Sequence, residues 1–333
     1  MTSLKVLMVG GAGYIGSICA RVFADAGATV WTLDDLSTGH EEAVTGELVH
    51  GSILERSFLI DLLKRLQPDA VMHFAARSLV GESVNHPLAY YDTNVRGTLN
   101  LLTAMQAAGV NRMVFSSTCA IYGPPRYLPI DEAHPIGPIS PYGDSKEMIE
   151  RILSDCRARE GFQITTLRYF NAAGAMPDGS LGEAHDPETH LIPLALDALL
   201  DRRPPLKLFG RDYDTRDGTC IRDYVHVLDL AEAHRLALAR LLDGDPGASY
   251  NLGTERGTTV SEILNAIARV AGRPVPYKDA PRRPGDPPAL FAASAKAREE
   301  LGWRPAFTDI DDIIRTALAW AQTPRYGRYA TKG

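Results

Sequence analysis

The stretch Val9-Gly10-Gly11-Ala12-Gly13-Tyr14-Ile15-Gly16 decides the fold of this chain. It joins an apolar run at 4–9, typical of a buried strand, to a helical pattern at 14–26. Its glycines follow the spacing G-x-x-G-x-x-G, at Gly10, Gly13 and Gly16. Glycine lets the backbone turn tightly and approach a pyrophosphate, which the free N–H groups and positive end of the next helix attract. Because the stretch lies between a strand and a helix, it predicts a turn that binds a dinucleotide.

Strands and helices alternate outward from this turn. We expect further strands at 29–33, 70–74, 113–116 and 164–169, and helices at 55–66, 88–109 and 144–160. This order is typical of an α/β protein with a doubly wound parallel sheet, the Rossmann fold. Of the 22 prolines, only Pro68 and Pro87 precede residue 124. The proline-rich remainder predicts a smaller C-terminal α/β domain whose loops shape a substrate pocket.

Composition excludes several classes of protein. The 333 residues are 45% hydrophobic and 23% charged, which is ordinary for a globular chain. A net charge of -6 argues against a nucleic-acid partner. No apolar run reaches the roughly 18–20 residues of a membrane span. The scattered cysteines form no C-x-x-C pair and no signal-peptide pattern is present, so we expect a cytoplasmic protein. None of the nine histidines has H-E-x-x-H spacing, so we expect no metal.

Asp34 ends the second predicted strand. A carboxylate there can accept hydrogen bonds from an adenosine ribose and would repel a 2′-phosphate, which favours NAD over NADP. The neighbouring carboxylate of Asp35 should disfavour NADP further. A turn or helix-capping aspartate is the alternative interpretation of Asp34.

Tyr142 and Lys146 are four residues apart on a predicted helix, so their side chains share one face. Free tyrosine has a pKa of about 10 and is a poor base at neutral pH. A cation nearby favours the phenolate, so the pair suggests a tyrosine base assisted by lysine. Because such a pair is common on protein surfaces, the interpretation depends on the glycine turn and on Ser116-Ser117-Thr118, which ends a strand upstream.

Taken together, these segments resemble the extended short-chain dehydrogenase/reductase superfamily and, within it, the UDP-glucose 4-epimerase family. The resemblance runs from about residue 4 to about residue 320. The matching segments are 10–17, His73-Phe74-Ala75-Ala76, Val80-Gly81-Glu82-Ser83, Asn94, 142–146, Arg168-Tyr169-Phe170-Asn171, 222–227 and 281–286. The resemblance implies NAD-dependent epimerisation at carbon 4 of a UDP-hexose through a 4-keto sugar. It also implies a homodimer formed through the helices at 88–109 and 144–160.

The resemblance assigns roles to individual residues. Tyr142 would be the catalytic base and acid, Lys146 would bind the nicotinamide ribose and lower the tyrosine pKa, and Thr118 would bond the sugar hydroxyl. The cofactor-binding residues would be Gly10, Gly13, Tyr14, Ile15, Gly16, Asp34, Asp35, Ser52, Ile53, Phe74, Ala75, Ala76, Asn94, Ser116, Tyr142, Lys146 and Tyr169. The UDP-sugar would contact Thr118, Tyr142, Phe170, Asn171, His190, Leu191, Lys207, Leu208, Phe209, Arg222, Arg283, Asp286 and Leu290.

The same resemblance implies two domains. An NAD-binding Rossmann domain would cover 1–175, with a returning segment near 220–245. A UDP-sugar-binding domain would occupy mainly 176–333.

Some positions depart from the family pattern. Ser52 stands where an aspartate normally meets the adenine, so NAD retention is open. Leu290 stands where some epimerases have tyrosine, so UDP-N-acetylhexosamines are expected to fit unless other residues fill the space. Cys119-Ala120 follows Thr118 in place of the Asp-Glu pair of 4,6-dehydratases, which disfavours that reaction. A UDP-pentose 4-epimerase acting on UDP-xylose or UDP-arabinose, and a non-catalytic NAD-binding protein, remain the alternatives.

Overall fold

A computed structural model describes residues 3–283 and 285–330. The strands are β1 (Lys5–Val9), β2 (Thr29–Asp34), β3 (Glu47–His50), β4 (Ala70–His73), β5 (Arg112–Thr118), β6 (Gln163–Tyr169), β7 (Asn171–Ala173), β8 (Leu206–Phe209), β9 (Ile221–Arg222), β10 (Tyr224–His226), β11 (Ser249–Leu252), β12 (Thr258–Thr259), β13 (Tyr277–Ala280) and β14 (Ala289–Leu290). The helices are α1 (Tyr14–Asp25), α2 (Arg56–Leu66), α3 (Val80–Asn85), α4 (Pro87–Tyr90), α5 (Gly97–Ala108), α6 (Pro141–Arg159), α7 (Leu191–Leu199), α8 (Val227–Leu242), α9 (Val260–Ala271) and α10 (Ile310–Gln322). No helix among these described residues is long and apolar enough to cross a membrane.

Seven strands form a parallel sheet in the order β11-β6-β5-β4-β1-β2-β3. The strand order reverses between β1 and β4, and a crevice for a ligand opens at the carboxyl ends of the strands at such a reversal. Helices cover both faces of the sheet, because successive residues of a buried strand point to opposite sides. Val6 and Met8 of β1 pack in one core cluster, and Leu7 and Val9 pack in another. The predicted doubly wound fold is therefore confirmed.

The chain returns to the first unit after leaving it. Helix α8 contributes Leu230 and Leu238 to the core cluster on the α1 face, and β11 extends the sheet beside β6. Trp303 completes the same cluster, and its indole N–H donates to the carbonyl of Asp229 at 2.7 Å. We propose that the dinucleotide-binding unit includes these returning segments, which extend past the 220–245 region expected from the sequence.

A second core lies among α7, α9 and α10. Three small sheets accompany it, with the orders β10-β7, β12-β9-β14 and β13-β8. Helix α9 begins with a capping box, in which Thr259 and Glu262 satisfy each other's backbone N–H groups. Contacts within this part pair β14 with β9 and place Arg283 over the ring of Phe209 on β8.

Two expected elements differ from the structure. The helix expected at 88–109 is divided into α4, a π-helical turn at Tyr91–Arg96, and α5. This turn carries Asn94, whose side chain bonds the backbone of Arg77 and the hydroxyl of Ser145. Helix α6 begins at Pro141 rather than near residue 144, because the Ser140 hydroxyl caps it by accepting from Gly143 N.

Candidate active site

The glycine turn after β1 is packed against the backbone that follows β4. A Cβ at Gly10, which has a φ of +80°, would lie 2.4 Å from Ala75 N. A Cβ at Gly16 would lie 2.3 Å from Gly10 O. Packing therefore requires glycine at both positions. At Gly13 the nearest atom to a Cβ would be 3.6 Å away, so packing leaves that side of the α1 N-terminus open to a ligand.

Asp34 holds the glycine turn in place. Its two carboxylate oxygens accept hydrogen bonds from Ala12 N and Leu36 N, each at 2.9 Å. Burial raises its pKa despite these hydrogen bonds. Asp34 therefore makes turn contacts, and each oxygen keeps a further lone pair for a ribose hydroxyl, whose binding stays a prediction. Asp35 is exposed and accepts from Ser37 N, while Ser52 lies 3.5 Å from its Oδ2.

The other expected cofactor residues line the ends of β4 and β5 and the segments beside them. Phe74, Ala75 and Ala76 are half-buried directly after β4, and Ile53 is buried against Gly97 of α5. The side-chain amide of Asn94 is engaged with the 77–78 loop and α6, so it positions those segments.

Helix α6 places Tyr142 and Lys146 against the end of β5. Nζ of Lys146 donates to the carbonyl of Ser116 at 2.9 Å and lies 4.6 Å from the centroid of the Phe115 ring. The side chain of Thr118 lies by the Tyr142 hydroxyl, where its hydrogen bonding favours the phenolate and lowers the tyrosine pKa. The predicted pair therefore shares one site with the threonine, rather than lying on the surface.

The protein's own groups keep Tyr142 protonated at neutral pH. Burial raises the pKa of Tyr142 to about 12, and the hydrogen bond from Thr118 offsets only part of that. Burial also lowers the pKa of Lys146 to about 7, against the attraction of Glu150. The lowering of the tyrosine pKa by Lys146 together with the positive charge of a bound cofactor therefore stays a prediction.

Arg222 and Leu290 are neighbours at the edge of this site. They are partners in the parallel pairing of β9 and β14. The Arg222 guanidinium lies 3.4 Å from Asp286 and donates to the carbonyl of Pro287 at 3.0 Å. Leu290 packs with Phe170 in the cluster that also contains Tyr122 and Ile121, next to Cys119.

The remaining expected substrate residues lie at three places, which are β8 with Arg283, β7, and the start of α7. Arg283 lies over the Phe209 ring with its guanidinium carbon 4.3 Å from the centroid, and Lys207 on β8 is exposed. Leu208 is buried in the second core, so only its backbone can face a ligand. Asn171 on β7 donates its N–H to Asp223 O at 3.0 Å. His190 and Leu191 mark the start of α7.

Folding assembles one cluster that the sequence analysis missed. Side chains of Glu183, His185, Glu188 and His190 place potential ligand atoms within 4.8 Å of one another. Nδ1 of His185 and of His190 lie 3.0 and 2.5 Å from Glu183 Oε1. Burial alone would lower the histidine pKa values, but the glutamates outweigh it and raise them to about 9 for His185 and about 10 for His190. Ion pairs between the two glutamates and the two histidines explain why these four side chains lie together. The spacing E-x-H-x-x-E-x-H at 183–190 is the feature of the sequence that could have indicated the cluster.

A glycine-rich turn thus opens the first helix, and a half-buried tyrosine lies one helical turn from a buried lysine at the end of β5.

Comparison with known proteins identifies the family. Residues 6–253 match the model of the NAD dependent epimerase/dehydratase family. The chain is 52% identical to the UDP-glucose 4-epimerase of Rhizobium meliloti (strain 1021) over 96% of this chain and 98% of that protein. The chain therefore belongs to the NAD dependent epimerase/dehydratase family.

Solved structures agree with this membership. The chain is similar to the UDP-glucose 4-epimerase from Brucella ovis in complex with NAD, with a TM-score of 0.93 and 49% identity over 95% of this chain and 98% of that one. It is also similar to the enzyme from Bifidobacterium longum in complex with NAD+ and UDP, with a TM-score of 0.90 and 36% identity over 95% and 98% of the two chains.

We predict opposite consequences for two glycine substitutions in the turn. Gly16→Ala should destabilise the fold by about 2 kcal/mol or more, because its Cβ meets backbone. Gly13→Ala should leave the unfolding temperature unchanged but weaken NAD binding at least about tenfold, because the methyl group enters the ligand's approach. Thermal unfolding and NAD titration of protein stripped of nucleotide measure both effects. Equal destabilisation by the two substitutions would contradict the role given to Gly13.

Proposed function

We propose that this chain is an NAD-dependent UDP-glucose 4-epimerase, an isomerase that interconverts UDP-glucose and UDP-galactose. The observation that carries the proposal is that α6 brings Tyr142 to Thr118 and Lys146 to the carbonyl of Ser116, both at the end of β5. The relatives and solved structures with this name, two of them holding NAD, favour it over the UDP-pentose and non-catalytic alternatives.

The residues present fit NAD. Gly13 leaves the start of α1 open for the pyrophosphate, and Asp34 has lone pairs for the adenosine ribose. Lys146, which donates to Ser116 O, would bind the ribose next to the nicotinamide. When bound, NAD+ would supply the redox chemistry, as the acceptor and donor of hydride for sugar carbon 4.

The chain's own residues move the proton. Tyr142 takes the proton of the sugar 4-hydroxyl as phenolate and gives it back after the sugar has presented its other face. Thr118 holds the phenol oxygen by its hydrogen bond. The positive charge of an oxidised nicotinamide ring would act with Lys146 on the phenol, because a neighbouring cation favours the phenolate.

The second unit would hold the UDP. Guanidinium groups match phosphate oxygens, so we assign Arg222 and Arg283 to the diphosphate. Asp286 lies between them, since it faces Arg222 and its N–H donates to Arg283 O. Firm binding of UDP by these groups leaves the sugar free to turn about the diphosphate.

All four cysteines are free thiols, which supports a cytoplasmic location.

We predict that the protein converts UDP-galactose into UDP-glucose, and that Tyr142→Phe lowers kcat by about 10²- to 10⁴-fold with little change in KM. The reason is that the phenylalanine keeps the ring but cannot carry the proton. NMR of the sugar nucleotides measures both rates. Tyr127→Phe is the matched control, because Tyr127 is an exposed tyrosine that bonds Asp131. A Tyr142→Phe variant that retained more than a tenth of the activity would contradict the assignment.

The position of Leu290 gives a prediction about the sugar. Because Leu290 packs beside Phe170 and the residue after Thr118, its side chain borders the space next to the base. We expect turnover of UDP-N-acetylgalactosamine by the native protein, and at least about a tenfold loss of that activity in Leu290→Tyr, with UDP-galactose turnover retained as the internal control. No turnover of the N-acetyl sugar, at concentrations well above those that saturate with UDP-galactose, would exclude the larger substrate.

We also propose a homodimer formed through α5, α6 and the turn before α5. Apolar side chains are exposed along these elements, including Leu99 and Met148 at 41% and 42% exposure. Light scattering should give twice the 36.2 kDa mass of one chain. Leu99→Glu with Met148→Glu should give the single-chain mass, because charge opposes burial of the face. Tyr277→Glu, an exposed apolar position on β13, should leave the dimer intact. A monomeric native protein would exclude the proposal.

A further inference from the structure

A buried ion pair lies one helical turn beyond Lys146, on the face of α6 that carries Tyr142. Glu150 on α6 and Arg168 on β6 are 7% and 8% exposed at their side chains, and their closest N–O distance is 2.5 Å. Nε of Arg168 donates to both carboxylate oxygens, at 3.1 and 3.0 Å. Desolvating two full charges costs free energy that their attraction does not always recover, so the pair calls for a role beyond stability. Neither the proposed reaction nor the UDP contacts use it.

Glu150 is also bonded to the strand that carries the site. The hydroxyl of Ser117 donates to Glu150 Oε1 at 2.5 Å. Ser117 stands between the carbonyl that accepts from Lys146 and the threonine that bonds Tyr142. Tyr142, Lys146 and Glu150 recur every four residues and therefore share one face of α6. Three successive turns of the helix are thus each bonded to the end of β5.

The pair also determines the charge that faces Lys146, which is 3% exposed. The titratable groups near Lys146 are Tyr142 and Glu150 on the same face of α6, His73 on β4, and Tyr169 on β6, whose hydroxyl is hydrogen-bonded to the side chain of Ser116. Burial, with the Lys146 charge, lowers the pKa of His73 to about 3, so its ring is neutral. Burial raises the pKa of both tyrosines, so they are neutral as well. Among the residues that the structure describes, Glu150 is therefore the negative group that opposes the effect of burial on Lys146.

Arg168 keeps that negative charge in place. Its fork binds the carboxylate through two nitrogens, Nε and Nη2, and such bidentate bonds are strong and fix the orientation of both groups. Its third nitrogen, Nη1, donates to the hydroxyl of Tyr122 at 2.8 Å, and this hydroxyl donates in turn to Asn251 Oδ1 at 2.7 Å. Arg168 is thus fixed by groups outside α6 and cannot follow Glu150 if the helix shifts.

We propose that Glu150, held by Arg168, is a positioning residue that keeps Lys146 in its ammonium form and fixes the face of α6 that carries the tyrosine base. The catalytic consequence rests on the proposed function, but the charge state of Lys146 can be measured without it.

Three variants separate this role from a purely structural one. Glu150→Gln removes the charge but leaves Arg168 unpaired. Glu150→Gln with Arg168→Gln removes both charges, and Glu150→Asp keeps the negative charge on a shorter side chain. The pKa of Lys146 is read from the Nζ resonance of protein labelled with ¹⁵N-lysine, assigned with Lys146→Arg. Thermal unfolding and the pH dependence of kcat and KM are measured on the same proteins.

We expect Glu150→Gln to lower the pKa of Lys146 by about one unit or more, because it removes the opposite charge. Since fewer molecules then carry the ammonium at a given pH, the alkaline limb of kcat should move to lower pH, with KM changed less than about twofold. The unfolding temperature should fall in Glu150→Gln and recover in the double variant, while the pKa of Lys146 stays low in both. Glu150→Asp should recover part of the pKa.

Two results would overturn the inference. One is a Lys146 pKa in Glu150→Gln equal to that of the native protein. The other is recovery of the native pKa and pH profile together with stability in the double variant, because the pair would then be structural alone. A native protein without epimerase activity would contradict the proposed function only, since the titration of Lys146 requires no sugar.

Discussion

The carbonyl oxygen of Val9 accepts hydrogen bonds from the N–H groups of both Phe74 and Ala75, at 2.7 and 2.9 Å. This double contact joins the carboxyl ends of β1 and β4 where the strand order reverses. The approach is so close that the residue after Val9 must be glycine. The crevice, the start of α1 and the residues after β4 all take their positions from this contact, so the dinucleotide site is set by backbone geometry before any side chain contributes.

Features that depend on neighbours in the sequence could be predicted. The glycine turn, the alternation of strands and helices and the four-residue spacing of Tyr142 and Lys146 are of this kind, and they were sufficient for the fold class and for the family. Strand β3 was missed because it is a four-residue edge strand with exposed Glu47 and His50, so it carries no apolar run. The π-helical turn that directs Asn94 inward was missed because a continuous helix fits the same apolar pattern.

Features that depend on charges distant in the sequence could not be predicted. Arg168 appeared as one residue of a matching segment, and only the folded chain shows that Glu150 accepts its fork. Likewise, the position of Arg222 beside Leu290 follows from the register of β9 and β14, which the sequence does not reveal. Lys146 and Glu150 are both buried on α6, and they show why residue types alone do not give the protonation state of the lysine. Burial shifts the lysine toward neutrality, and the carboxylate one turn away acts in the opposite direction.

The return of the chain to the first unit has a consequence for synthesis. Strand β11 forms one edge of the central sheet, and Trp303 fills the cluster beneath α8, although the glycine turn lies at the opposite end of the sequence. A ribosome must therefore release the chain beyond residue 303 before this core can close. Before β11 emerges, β6 presents an open edge, which is a template for pairing with other chains. The nascent protein thus carries this open edge from the synthesis of β6 until β11 has emerged, and residues of its second half complete the core of the first.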